Sequence, residues 1–402
     1  MLIRNQDIIV TGLQPWDIDI GSNCKNIALE FAKNNRVLYV NAALDRMTLL
    51  CKKNDPKVQR RKRILHSAEP DLLEIGPHLW NLYPKTILES INQIGSDNLF
   101  DWLNKINNRR MARQILSAVK RLDFKDYIIF CDSDMFRSFY LKELLNPKAF
   151  IYYTRDNLVA VDYWKKQGIR VEAAMMKKAD VVVANSTYLA KLAEAFNPHS
   201  SYVGQGCDVS LFDQKLIERI PQDMLPIKEE GKPIIGYIGA LKALRLDINV
   251  LLCIAKERPN WNIVLVGPED EPFKTSDLHQ FDNVHFLGNK TEPELPLYLS
   301  TFDVAINPQI VNEVTVGNYP RKIDEYLAMG KPVVATKTEA MSVFAEYVSL
   351  ASTKEDYLTM IQKELDTNSS EKITERELFA RTHTWENNVQ EISNSLVKVI
   401  AI

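Results

Sequence analysis

Lys322 and Glu325 stand three residues apart in the stretch YPRKIDEYLAMGKPVVAT, Tyr319 to Thr336. A lysine ammonium is a compact point charge suited to a phosphate, and a carboxylate about one helical turn further on can accept both hydroxyls of a ribose. Pro320 suits the first position of a helix, which leaves the amides of Val316, Gly317 and Asn318 free to point at an anion. The plain alternative is a helix–strand joint in which Glu325 faces the positive end of the helix dipole, a gain of roughly a few tenths of a kcal/mol. Spacing alone does not separate the two.

Other residues could serve the same chemistry. Gly12 and Gly239 each close an apolar run, where a glycine lets backbone amides approach a phosphate, and each is equally suited to a simple turn. Lys242 and Arg245 follow Gly239 closely, placing two cations where a phosphate would sit. In TGLQPWDIDIGSN, Trp16 and Asp17 are candidates for contact with a sugar or an acceptor, and Trp16 reads equally well as a packing residue. Asp156, in YYTRDN, has a carboxylate that can accept from a sugar or acceptor hydroxyl or cap a helix. Asp132 and Asp134 form a D-x-D pair of the kind that chelates magnesium or manganese, but a cleft-lining or capping role fits a chain of this size better. The five cysteines are scattered without a Cys-x-x-Cys pair and the six histidines lack ligand spacing, so no metal site is expected.

The whole-chain balance narrows the partners. A net charge of −2 over 402 residues hides an asymmetry: residues 1–210 hold 30 Lys+Arg against 23 Asp+Glu, and the remainder 20 against 29. Much of the positive excess falls in CKKNDPKVQRRKRILH, Cys51 to His66, so Lys52–Arg63 is a candidate contact for an anionic membrane surface, where each basic residue contributes about 1 kcal/mol; a solvated face is the plain reading. Nothing around it resembles a nucleic-acid module. No apolar run is long enough to span a bilayer, and the N-terminus lacks a signal pattern. The expectation is a cytoplasmic protein with free thiols, peripheral on the inner face of the cell membrane if the basic stretch engages lipid.

The elements that must position these residues come in two series. Asp7–Gly12, Arg36–Asn41, Asp126–Asp132, Ala149–Thr154 and Asp180–Asn185 are apolar, β-branched runs separated by helical periods. After a polar stretch with three prolines come Ile234–Gly239, Asn262–Pro268, Val284–Gly288, Asp303–Pro308 and Pro332–Thr336. Near-continuous apolar strands imply sheets covered on both faces, hence two doubly wound, parallel, Rossmann-like α/β domains. The expected division is 1–215, a linker at 216–232, a second domain at 233–380, and a closing amphipathic helix at 381–402. Ligands in such sheets sit beyond the carboxyl ends of the strands, where Gly12, Asp156, Gly239 and Lys322 fall.

PRKIDEYLAMGKPVVAT, together with IIGYIGALKALRLD and WNIVLVGPEDEPF, resembles the donor half of the GT-B glycosyltransferases, specifically glycosyltransferase family 4. ADVVVANSTYLAKLAEAF followed by GQGCDVSLF is similar to the family's run into the turn that ends its first domain, and THTWENNVQEI to its closing helix, which returns to the first domain. The resemblance implies two domains facing a cleft and a retaining, metal-independent hexosyl transfer, with no cofactor. The donor would be a nucleoside-diphosphate sugar and the acceptor a saccharide or lipid-linked saccharide of cell-surface polysaccharide biosynthesis. Glu325 matches the second glutamate of the family's Glu-x7-Glu motif, which holds the ribose, and Lys322 and Arg245 lie near its phosphate-binding cations. Gly288 and Asn289 would face the base. The first glutamate is replaced by Gly317, with Asn312 or Glu313 as substitutes beside Asn318. On this reading Asp156, Lys322 and Arg245 carry the catalysis. Gly239, Lys242, Gly288, Asn289, Glu313, Gly317, Asn318 and Glu325 hold the donor, and Gly12, Trp16 and Asp17 hold the acceptor. The rivals are a nucleotide-sugar 2-epimerase of the same fold and a non-catalytic nucleotide-sugar-binding protein.

Overall fold

A computed structural model describes residues 2–18 and 21–400; residue 1, Asp19 and Ile20 of the TGLQPWDIDIGSN segment, and residues 401 and 402 of the segment expected as a closing helix lie outside the described residues. The chain forms two compact units, Met1–Gly206 with Trp385–Ile402, and Cys207–Thr384.

In the first unit the strands are β1 (Asp7–Gly12), β2 (Arg36–Val40), β3 (Leu44–Asp45), β4 (Leu72–Gly76), β5 (Leu79–Leu82), β6 (Ile87–Leu88), β7 (Ile128–Asp132), β8 (Ala149–Thr154), β9 (Val181–Ala184) and β10 (Ser200–Tyr202). Among the described residues, eight of them build one sheet in the order β10-β9-β8-β7-β1-β2-β5-β4, while β3 and β6 pair separately. Successive side chains of a strand go to opposite faces, and the two faces are both filled. Ile9, Leu38, Ile129, Phe150 and Val182 pack in one core, and Ile8, Val10, Val37, Ile128, Ile151 and Val181 in the other. That double burial is why these strands read as unbroken apolar runs. The pairings are parallel except β4–β5, which is antiparallel. Only Pro77 and His78 join those two strands, too little chain for a parallel crossover, so one antiparallel strand is added at the edge of the parallel sheet expected from the sequence.

The helix Trp385–Val397 belongs to this unit: Val389, Ile392 and Leu396 lie in the same core as Ile27 and Phe31. Asn388 Nδ2 donates to the carbonyls of Val203 and Gly204 at 3.0 and 2.8 Å. Any side chain at position 206 would collide with the Trp385 indole, so the glycine is needed for this close approach.

The second unit carries β11 (Ile234–Ile238), β12 (Asn262–Val266), β13 (Val284–Gly288), β14 (Val304–Asn307), β15 (Val333–Thr336) and β16 (Ser349–Ala351), all parallel, in the order β13-β12-β11-β14-β15-β16. The same alternation holds: Ile234, Ile238, Val264 and Val333 face one core, Ile235, Tyr237, Ile263 and Val334 the other. The proline-rich stretch 216–232 does more than link. It contains a 3-10 turn, Gln222–Met224, and a helix, Leu225–Glu229. Met224, Ile227 and the preceding Phe212 are buried in the second unit's core. The chain therefore passes between units at Gly206–Cys207 and Thr384–Trp385.

Candidate functional site

In the second unit, the residues of interest gather at the carboxyl end of β11. The helix Lys322–Ala328 grips that end twice. Tyr326 Oη accepts from the Ile238 amide at 2.9 Å. Lys322 Nζ donates to Tyr237 Oη and lies 4.0 Å from the centre of its ring. Gly239 follows with φ +141°, and a Cβ there would stand 2.6 Å from Lys322 Nζ. The bare backbone leaves room for the ammonium. Gly267, at the end of β12, has φ +151°, and any side chain on it would overlap the Gly239 carbonyl. The two strand-end loops are then laced together: Leu241 N donates to Pro268 O, Asp270 N to Leu241 O, and Ala243 N to Asp270 Oδ2, at 2.8 to 2.9 Å.

Lys242 and Arg245 are exposed on this loop, which is also tied to the segment after β14. Ile310 N donates to Arg245 O, and Asn312 Nδ2 to Leu244 O, both at 2.9 Å. Structure thus brings Arg245 and the Glu313 loop, 68 residues apart, side by side. Asn312 is engaged in building that loop, since its Oδ1 accepts from the Val314 and Thr315 amides; the expectation that it replaces the missing glutamate is corrected. Glu313 is exposed, Gly317 buried. Two of the three amides expected to be free are used in turns: Val316 N donates to Asn312 O and Asn318 N to Thr315 O. Asn318 itself is 7% exposed, and its Oδ1 is buried without a partner. Pro320 precedes the helix rather than opening it, because Arg321 is the N-cap.

Glu325 lies in the first turn of that helix with its side chain 15% exposed, meeting Arg321 Nε at 3.6 Å, beyond hydrogen-bond range. Burial raises its carboxyl pKa, against the pull of Arg321 and Lys322. Its neighbour Asp324 is fully buried and bonded to His383 and Tyr319, which fixes the helix from behind. The sequence offered no signal for that trio, since its members span 64 residues. Gly288 (φ +69°), the last residue of β13, and Asn289 just past it are exposed.

In the first unit, the carboxyl ends of β1, β7 and β8 carry a buried ionic array. Arg155 Nε donates to Asp132 Oδ1 at 2.8 Å and its Nη1 meets Asp156 at 3.3 Å. Asp132 is fully buried with Oδ2 unpartnered. Asp156 sits in the left-handed region, φ +57°, with its side chain 43% exposed and paired to Arg155. Asp134 is held by Arg137 Nε at 2.9 Å, so each carboxylate of the D-x-D pair is committed to an arginine. Arg137 Nη2 also donates to Gly12 O at 3.2 Å. A Cβ on Gly12 would stand 2.7 Å from Cys24 Sγ.

Trp16 packs edge-on against Tyr39, ring centres 5.1 Å apart, which gives it the packing role. Asp17 pairs with Arg61 at 2.9 Å, both side chains 16% exposed. Arg63 and Arg60 pair with Glu69. The basic run is therefore partly neutralised, and its exposed cations are Lys52 and Lys53, ahead of the arginines, and Arg63, which is paired with Glu69.

Residues 232–360 match the family described as "Glycosyl transferases group 1". A protein of Bacillus subtilis (strain 168) that carries the name teichuronic acid biosynthesis glycosyltransferase TuaH is 28% identical over 245 residues, 58% of this chain. The match spans 60% of that relative's length. Among solved structures, Anabaena Alr3699/HepE in complex with UDP superposes with a TM-score of 0.63 at 14% identity, covering 98% of this chain and 100% of that one. The α,α-trehalose-phosphate synthase (UDP-forming) of Burkholderia vietnamiensis gives 0.70 at 10% identity, covering 99% and 100%.

Proposed function

From the premise that this is a GT-B chain whose second unit carries the group 1 glycosyltransferase domain, we propose that the protein moves a sugar, with retention, from a nucleoside-diphosphate sugar to a saccharide or lipid-linked acceptor in polysaccharide biosynthesis. The observation that carries the reading is the juxtaposition of Lys322 with the bare backbone of Gly239 at the end of β11, Glu325 lying one helical turn on. An ammonium held beside a side-chain-free strand end suits a diphosphate. A half-satisfied buried carboxylate suits two ribose hydroxyls, because such a group is costly to leave without donors. Neighbours of the same fold solved with UDP and with UDP-glucose make uridine diphosphate the first nucleotide to test, and a UDP-sugar the first donor.

In the reaction, the bond between the anomeric carbon and the diphosphate oxygen breaks while the acceptor oxygen bonds to that carbon on the same face. The acceptor proton passes to the departing diphosphate. Lys322 and Arg245 offset the charge that grows on the leaving group. Asp156, oriented by Arg155, receives a hydrogen bond from the sugar or the acceptor. Glu313 and Asn318 Oδ1 supply acceptors to the sugar in place of the family's first glutamate, and the loop at Gly288 and Asn289 faces the base. Among the described residues no helix is long and apolar enough to cross a membrane.

The test is thermal stabilisation by UDP, GDP and ADP on the native protein and on Glu325→Ala, followed by product analysis with the matching sugar nucleotide. Ligand at a hundred times its dissociation constant stabilises by about 2.7 kcal/mol. A melting shift with one nucleotide, lost in the variant, together with a lengthened glycan supports the reading. An epimerised donor would establish the epimerase instead, and binding without turnover on any acceptor the non-catalytic protein.

A further inference from the structure

A cavity of about 860 Å³ lies wholly within the first unit. One end reaches the carboxyl ends of β1 and β7, where Leu13, Asp134 and Arg137 line it; the other opens beside Met47, Cys51 and Lys52. Part of its lining is apolar and aromatic: Leu88, Ile91, Phe136 and Trp164, the last two with ring centres 5.3 Å apart. Asn92 also lines the cavity, and its Nδ2 is a buried donor with no partner.

The open end is unusual for a surface. The helix Arg46–Cys51 contains no buried residue, yet Met47 is 54% and Leu50 71% exposed, and Tyr163 across the mouth is 54% exposed. Exposed Lys52 and Lys53 follow at once. A folded chain gains nothing from displaying such side chains to water. An apolar chain leaving the cavity would cover them, and the two ammonium groups complement an anion at the same place.

We propose that this cavity seats the acceptor, and that the acceptor is an amphiphile: a saccharide joined through phosphate to an apolar chain. The saccharide lies against the aromatic wall and the Asp134–Arg137 pair, the phosphate meets Lys52 and Lys53, and the chain leaves over Met47 and Leu50. The inference rests on the transferase reading above and names its acceptor class.

Cys51 lines the mouth and is exposed, whereas Cys24, Cys131 and Cys207 are buried and Cys253 lies half-buried in the other unit. The rate of Cys51 alkylation, read by mass spectrometry with Cys253 as internal reference, therefore reports occupancy in the unmodified chain. Four probes are compared below their micellar concentrations: decyl glucosyl phosphate, decyl glucoside, glucose 1-phosphate and decyl phosphate. The expected result is at least tenfold slower Cys51 labelling with decyl glucosyl phosphate, weaker protection by decyl glucoside, and none by glucose 1-phosphate. Lys52→Glu with Lys53→Glu should erase the advantage of the phosphate-linked probe. Equal protection by glucose 1-phosphate would reduce the cavity to a saccharide seat and overturn the amphiphile. Equal protection by decyl phosphate would make it a general lipid contact, and no protection by any probe would leave it without this occupant; either overturns the proposal. Melting shifts with UDP, run in parallel, show whether the donor reading stands when this one falls.

Discussion

The carboxylate of Asp324 lies 2.6 Å from Nδ1 of His383, and the Tyr319 hydroxyl donates to its other oxygen at 2.9 Å. Asp324 shares a short helix with Lys322 and Glu325, while His383 stands at the passage between the two units, its carbonyl accepting from the Cys207 amide at 2.9 Å. Burial raises the pKa of Asp324 and His383 opposes that rise. Replacing His383 by alanine leaves a buried carboxylate short of a charge-assisted bond, a loss of about 1.5–3 kcal/mol. We expect His383→Ala to lower the urea midpoint by that amount and to weaken UDP binding, because the helix loses its rear anchor. Unchanged nucleotide affinity at the lowered stability would show that the trio serves folding alone.

Gly239→Ala tests the front of the same helix. At φ +141° an L residue is strained, and the added methyl meets Lys322 Nζ, the far end of a flexible side chain. The fold should survive at a cost of about 1–3 kcal/mol, while Lys322 is pushed from its seat on Tyr237. Nucleoside diphosphate affinity should fall about as far in Gly239→Ala as in Lys322→Ala, with little further loss when the two are combined. Additive losses would mean that glycine and lysine act on the ligand separately.

How far the sequence carried this picture depended on whether a signal was local. The strands around Gly12 and Gly239 were legible because double burial writes an unbroken apolar run. The β4–β5 edge was missed: its Leu72–Gly76 strand is only partly buried and carries no such run. Stretch 216–232 read as a linker because its prolines hid Met224 and Ile227, whose burial depends on distant strands. At the candidate site, Lys322 and Gly239 were picked out by type and position, and the fold brings them together. The Tyr237 seat, the Arg155–Asp132 pair and the Asp324–His383 bond were not, since each joins residues whose meeting only the fold decides. The pairing that neutralises the arginines of the basic run was hidden for the same reason: their carboxylates lie outside it, at Asp17 and Glu69.

That neutralisation separates two roles for Asp17. Asp17→Asn removes the charge partner of Arg61 and weakens a charge-assisted bond, so stability should fall by about 2 kcal/mol. If Asp17 instead contacts the acceptor, turnover falls while the melting temperature holds. Paired measurement of denaturation and of transfer distinguishes them, and the 2.9 Å contact favours the first outcome.

Glu172 predicts the pH dependence of the first unit. It is buried, accepts from Tyr152 Oη at 2.9 Å, and burial pushes its pKa up to about 7, against the pull of Tyr152 and Thr154. In the unfolded chain a glutamate titrates near 4.3. Between those values the folded protein holds a proton that the unfolded chain has released, so stability is greatest below the lower value and declines as pH rises towards the upper one. Each unit of difference is worth 1.36 kcal/mol, which makes the whole decline about 4 kcal/mol. Glu172→Gln keeps the shape and abolishes the titration. Its stability relative to the native chain should therefore rise steadily from pH 5 to pH 7.5, measured by urea unfolding at constant ionic strength. A difference that stays flat over that range would mean that Glu172 ionises in the folded protein at its ordinary value.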